Sequence, residues 1–250
     1  MSGHSKWNSI RHKKAAADAK RGQLFTRLIK EISVAARIGG GDVDTNPRLR
    51  TSVAAAKAGN MPQNNIQRAI MKGTGELPGQ SFESVSYEGY GPGGAAVFLE
   101  AITDNRNRTV AEIRHTFAKF QGNLAESNAV AWMFERKGYF SIDASATDED
   151  TLMEVALEAG AENMETSQDF YEIYSAFEEF DTVRTALEEA GIPIQNGELT
   201  MIPQNSVKLE GRTAERMLKL MEALEELDDI QNAYANFDID EKEMEALLEA

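Results

Sequence analysis

Few residues of this chain have the types and spacing that covalent chemistry needs. Its 250 residues include no cysteine and three histidines, His4, His12 and His115. Thiol nucleophiles, disulfides and cysteine-ligated zinc are therefore excluded. None of the histidines stands in an HExxH or comparable ligand spacing, and no GxSxG elbow offers a serine nucleophile. Gly89-Tyr90-Gly91-Pro92-Gly93-Gly94 contains a literal GxGxxG. In a dinucleotide site the third glycine opens a helix whose N-terminus holds the pyrophosphate. Here an apolar strand pattern follows, and Pro92 lacks one of the amides that would cradle phosphate. The hexad therefore predicts a tight turn. Carboxylates such as Glu222, Glu225 and Glu226 fall on what read as solvated helix faces. The expectation is a protein that is not an enzyme, needs no metal or cofactor and takes no small-molecule substrate.

The chemistry on offer is instead electrostatic. The formal net charge is −15, but residues 1–80 hold 14 Lys+Arg against 5 Asp+Glu, and residues 81–250 hold 12 against 36. A local net of +9 beside one of −24 marks a basic binding arm on an acidic body. Lys6, Arg11, Lys13, Lys14, Lys20, Arg21, Arg27 and Lys30 are the candidate phosphate contacts. Trp7, set among them, could stack on a base. A second cluster, Asp104-Asn105-Arg106-Asn107-Arg108, has more cations than helix capping needs, so Arg106 and Arg108 are added to the nucleic-acid list. No helix rich in base-reading Asn, Gln and Arg stands out, which favours backbone contact over base readout. Structured RNA, such as the ribosome's, presents dense phosphate without needing a base code.

These groups must be positioned by folded elements, and the apolar periodicity supplies them. Phe25, Leu28, Ile29, Ile32 and Ala36 form a helical stripe that Gly39-Gly40-Gly41 ends. Asn46-Pro47 is a cap followed by proline at the first helical position, with Leu49, Val53 and Ala56 as the stripe. Pro62 starts a third helix carrying Ile66 and Ile70, which Gly73 is expected to close. The Lys-, His- and Ala-rich residues 1–20 read as a segment that orders on a partner.

From Ser81 strands begin. Residues 95–102 read as a buried strand, Val110 to Phe120 as a helix and 130–134 as a further strand. Residues 139–203 alternate β-α-β-β-α-β, the ferredoxin-like order. A helix with Met217, Leu220, Met221 and Leu224, then a strand near 234–239, complete a second unit of the same kind. The expected fold class is multidomain α+β: a three-helix bundle over 1–80, a discontinuous α+β domain over 81–135 plus 204–250, and a ferredoxin-like domain over 136–203 inserted in it. No apolar run reaches the roughly 18 residues of a membrane span.

Several runs together resemble the YebC family. They are Gly3-His4-Ser5-Lys6-Trp7, Arg11-His12-Lys13-Lys14-Ala15-Ala16, Asp18-Ala19-Lys20-Arg21-Gly22, Asn46-Pro47-Arg48-Leu49-Arg50 and Tyr87-Glu88-Gly89-Tyr90-Gly91-Pro92-Gly93-Gly94. Thr103-Asp104-Asn105-Arg106-Asn107-Arg108-Thr109, Gly160-Ala161-Glu162 and Leu227-Asp228-Asp229-Ile230-Gln231 continue the match. That family includes bacterial probable transcriptional regulators and the mitochondrial translational activator of cytochrome c oxidase. The resemblance implies three domains, one helical and two α+β, and a cytoplasmic location with no presequence ahead of Gly3. It also implies DNA binding with transcription regulation in some members, and RNA binding with translation regulation on the ribosome in others.

Overall fold

The computed structural model describes residues 18–167 and 170–249. The described residues form two compact units: those up to Ala131 together with those from Ser206 onward, and those within Trp132–Asn205.

The first unit opens with α1 (Asp18–Gly39), α2 (Pro47–Ala58) and α3 (Gln63–Thr74). Ile32, Ala35 and Ala36 of α1 bury against Leu49, Val53 and Ala56 of α2 and Ile66 and Ala69 of α3. Asn46 joins the first two helices. Its Oδ1 accepts from Leu49 N–H (3.1 Å), while its Nδ2 donates to Ala35 O (2.9 Å) and Gly40 O (2.8 Å). One side chain thus satisfies orphan groups at a helix start and a helix end. Gly73 does not close α3, which runs to Thr74 and is capped by Gly75 at φ 84°. A Cβ on Gly73 would lie 2.4 Å from Ser33 O. The glycine is there because α1 and α3 approach too closely for any side chain, which no local pattern shows.

A hairpin follows, β1 (Glu83–Tyr90) and β2 (Ala96–Thr103), then α4 (Arg106–Lys119) and the short β3 (Asn123–Leu124). Gly91–Gly94 of the glycine hexad form the hairpin turn, with Gly93 and Gly94 at φ 75° and 80° and Gly91 N–H bonded to Ala95 O at 2.7 Å. The hexad's glycines also make room, since a Cβ on Gly89, Gly91 or Gly93 would strike Phe117, Met217 or Leu209. Only a single 3-10 turn, Pro92–Gly94, forms there, and β2 follows it in place of the α-helix that a dinucleotide site needs.

The second unit runs β4 (Phe134–Asp143), α5 (Glu149–Glu158), β5 (Ala161–Thr166), β6 (Phe170–Ala176), α6 (Phe180–Glu189) and β7 (Asn196–Pro203). Its antiparallel sheet has the order β5-β6-β4-β7, the ferredoxin-like arrangement. Phe140, Ile142 and Ile173 pack there against Leu152, Val183 and Leu187. The separate strand expected at 130–134 is not formed. Ala131–Met133 is a single 3-10 turn and Phe134 already belongs to β4. The amides of Val130 and Ala131 are taken by the Glu88 carboxylate, so they cannot join a ladder, and Trp132 is 64% exposed.

Back in the first unit come β8 (Val207–Lys208), α7 (Gly211–Glu225), β9 (Ile230–Ala235), β10 (Phe237–Asp238) and α8 (Glu241–Glu249). The four-stranded sheet has the order β3-β1-β2-β9, and β8 pairs with β10 in parallel. This sheet therefore begins with a hairpin and takes its helices afterwards, unlike the β-α-β-β-α-β order. Ile113 and Phe117 of α4 and Met217, Leu220, Met221 and Leu224 of α7 cover Val97, Leu99 and Ala101.

Candidate nucleic-acid interface

Lys6, Trp7, Arg11, Lys13 and Lys14 lie outside the described residues, and Lys20 and Arg21 stand at the start of α1. The next two expected phosphate contacts turn inward. Lys30 is 8% exposed, and its Nζ donates to Asp229 Oδ1 (2.7 Å) and Asp228 O (2.8 Å). Arg27 donates to Glu225 O at the C-terminal end of α7, where Gln23 Nε2 also donates to Glu226 O at 2.8 Å. A cation there suits the negative end of the helix dipole. Lys30 is thus corrected from a phosphate ligand to a staple between α1 and the α7–β9 turn, and Arg27 serves the same junction. A buried ammonium held by the Asp229 carboxylate and the Asp228 carbonyl is not available to a polyanion.

Asp229 is the hub of that junction. The residue is 3% exposed, and its Oδ2 accepts from Arg108 Nη2 (2.7 Å), Thr109 Oγ1 (2.7 Å) and Thr103 Oγ1 (3.2 Å). Burial alone would raise its pKa. Hydrogen bonds from Arg108, Lys30 and Thr109, with the Lys30 charge, outweigh this and bring it to about 2 from an ordinary 3.8. A depressed carboxylate contributes stability that is complete above its unfolded value and is lost as pH falls through its folded value. Thermal stability is expected to fall from about pH 4 toward pH 2, and Asp229→Asn should flatten that part of the profile. Parallel profiles for the two proteins would rule Asp229 out as the group responsible.

Arg108 is likewise committed, to Asp229 and to Asp104 at 2.9 Å, although its side chain is 45% exposed. The Arg106 guanidinium makes a two-pronged pair with Glu83 (2.7 and 2.6 Å) and is 60% exposed. Both arginines lie in the first turn of α4, which starts at Arg106 and not near Thr109 as the sequence suggests, and both face carboxylates. Only Arg106 keeps most of its surface toward solvent, and its pair is of the exposed, weak kind.

Further outward-facing cations, in a stretch free of acids, are on α2 and α3. Residues 47–74 carry five Lys+Arg and no Asp or Glu. Arg48 pairs with Glu31 (2.7 Å), and Arg50 donates to Val43 O (3.1 Å) and Asp44 O (2.6 Å). Lys57, Arg68 and Lys72 are exposed and make no ion pair or side-chain hydrogen bond with the described residues. Between the helices, Gly59–Pro62 turns the chain, with Asn60 left-handed at φ 58° and Met61 buried. On α3 the buried face is Ile66 and Ala69, while Gln63, Asn64, Gln67 and Arg68 are exposed. This row was missed in the sequence, although its signal is plain: a run of amides and an arginine directly after Pro62. Among the described residues no His, Cys, Asp and Glu cluster could hold a metal. No helix among them is long and apolar enough to cross a membrane.

Comparison with known proteins places the chain. Residues 5–76 match the family model described as the TACO1/YebC protein N-terminal domain, and residues 82–237 the one described as the TACO1/YebC second and third domain. A probable transcriptional regulatory protein of Geobacter sulfurreducens is 58% identical over 248 residues, covering 99% of this chain and 100% of the relative. One of the same description from Desulforapulum autotrophicum is 56% identical over 247 residues, covering 99% and 100%. The crystal structure of a conserved hypothetical protein from Aquifex aeolicus matches with a TM-score of 0.81 at 50% identity, covering 91% of this chain and 94% of that one. The chain belongs to the TACO1/YebC family.

Proposed function

We propose that this protein is a non-enzymatic regulator of gene expression that binds nucleic acid through its helical N-terminal region, as a DNA-binding regulator of transcription working in the cytoplasm. The observation that carries this reading is the acid-free stretch 47–74, whose Lys57, Arg68 and Lys72 face solvent in a chain of net charge −15. Outward cations concentrated in an acid-free stretch, in a chain whose residues 81–250 are strongly net negative, favour a polyanion at that stretch over the remainder. The names carried by the relatives, probable transcriptional regulatory proteins, support the regulatory part.

Counterion release gives the test. With about five phosphates neutralised, log K on duplex DNA should fall against log[salt] with a slope of about −4 to −5. The triple charge reversal Lys57→Glu, Arg68→Glu, Lys72→Glu should abolish that binding with the fold intact. A flat salt dependence would remove the electrostatic reading. Crosslinking in cells, with sequencing of the recovered nucleic acid, separates promoter DNA from ribosomal RNA. Recovery of ribosomal RNA alone would replace transcription by translation as the regulated step.

A further inference from the structure

We infer that α3 is a base-reading helix that enters the major groove of duplex DNA, with Asn64, Gln67 and Arg68 as its specificity-determining side chains. The inference rests on the nucleic-acid reading above and adds which element reads, which groove it enters and which residues discriminate.

Three observations carry it. The first is the form of the pair, since α2 and α3 are joined by the four residues Gly59–Pro62, and both pack on α1. Two helices joined through a tight turn, with a further helix behind them, are the arrangement in which the second helix is presented to a groove. The turn is held from within, because Met61 is buried and its N–H donates to Ala56 O at 2.9 Å. The second is the composition of the outward face. Asn64, Gln67 and Arg68 lie at helical spacing opposite Ile66 and Ala69, all three exposed. No side-chain hydrogen bond or ion pair within the described residues engages them. Asn and Gln present a donor and an acceptor side by side, matching the adenine edge, and Arg matches the two acceptors of guanine. They occupy the N-terminal half of the helix, the part that meets base edges in such motifs.

The third is charge. Neither α2 nor α3 has an acidic residue, and Lys57 and Lys72 flank the row from the end of one helix and the last turn of the other. Cations at the margins hold phosphates while a neutral amide row faces the groove floor, the division of labour between positioning and readout. A face evolved only for solubility in so acidic a chain would be expected to mix its charge signs.

The test uses the full chain and a random pool of duplex DNA, followed by titration on the enriched duplex and on an unrelated duplex of equal length. The native protein should enrich a short motif. Asn64→Ala, Gln67→Ala and Arg68→Ala should each weaken binding to that motif by roughly 5- to 150-fold, the range of one two-pronged base contact, and leave the unrelated duplex within about twofold for the two amides. Lys72→Gln is the contrast: it should weaken both duplexes equally and make the salt slope shallower by about one. Binding to the pool without enrichment, or equal losses on both duplexes for Asn64→Ala and Gln67→Ala, would overturn the base-reading helix while leaving nucleic-acid binding in place. Tighter binding to structured RNA than to any duplex would overturn the choice of DNA. No binding to any nucleic acid would overturn the underlying reading itself.

Discussion

Replacing Asp229 with alanine is expected to lower the folding stability by about 3–5 kcal/mol, the cost of leaving a buried charge without its partner. The stranded charge is Lys30, whose side chain is 10% exposed and whose Nζ lies 2.7 Å from the Asp229 carboxylate. Arg108 would lose its better buried partner but keep Asp104 and solvent. Urea unfolding of the native chain and of Asp229→Ala measures the difference. Arg106→Ala is the control, since its pair with Glu83 is exposed and should matter by no more than about 1 kcal/mol. The double change Lys30→Met with Asp229→Ala should recover part of the loss, because the methionine stem fills the space without needing a counter-charge. A loss below 1 kcal/mol in Asp229→Ala, or no recovery in the double variant, would show that the junction is held by apolar packing alone.

The second large effect is expected at Glu88 on β1, a residue that charge counting treats as one acid among many. It is 4% exposed, and its carboxylate accepts from three backbone amides of the loop after β3: Asn128 (2.7 Å), Val130 (2.7 Å) and Ala131 (2.8 Å). Bonds to a charged acceptor contribute about 1.5–3 kcal/mol each, and a buried donor left without a partner costs about 1–3 kcal/mol. Glu88→Ala should therefore destabilise the first unit by about 3 kcal/mol or more. Glu88→Gln keeps the shape but exchanges one acceptor oxygen for a donor, so it should fall between the two. Amide hydrogen exchange at Asn128, Val130 and Ala131 is the direct readout, since all three should lose protection in Glu88→Ala. Unchanged protection would mean that the loop is held by other contacts, such as Tyr90 Oη donating to Ala129 O.

Both residues show why some of this protein could be read from its sequence and some could not. The stripes at Phe25 to Ala36 and at Leu49 to Ala56, the Asn46-Pro47 cap and the alternation over 139–203 are short-range signals. Each depends on residues within a turn or a strand of one another, and the structure places a helix or strand at each. The tight turn within Gly89–Gly94 was legible for the same reason, because a proline beside glycines ahead of an apolar run leaves few backbone alternatives. Charge asymmetry also survives folding, since it is a sum over composition and does not depend on which faces meet.

What only the tertiary structure decided is which charges are spent inside the molecule and which face outward. Lys30 and Asp229 are 199 positions apart in the chain, and nothing local distinguishes that lysine from Lys57 or Lys72. It is buried because α1 docks on the α7–β9 turn, and a buried cation is tolerable only where a carboxylate meets it. The same long-range packing explains Gly73, an unfavourable helix residue locally that the contact with Ser33 O requires. It explains the absent strand at 130–134, where apolar residues with strand propensity lose their amides to Glu88. The outward row Asn64, Gln67 and Arg68 gained its meaning in this way too. Polar residues on a helix are ordinary until packing of Ile66 and Ala69 against α1 fixes the opposite face toward solvent.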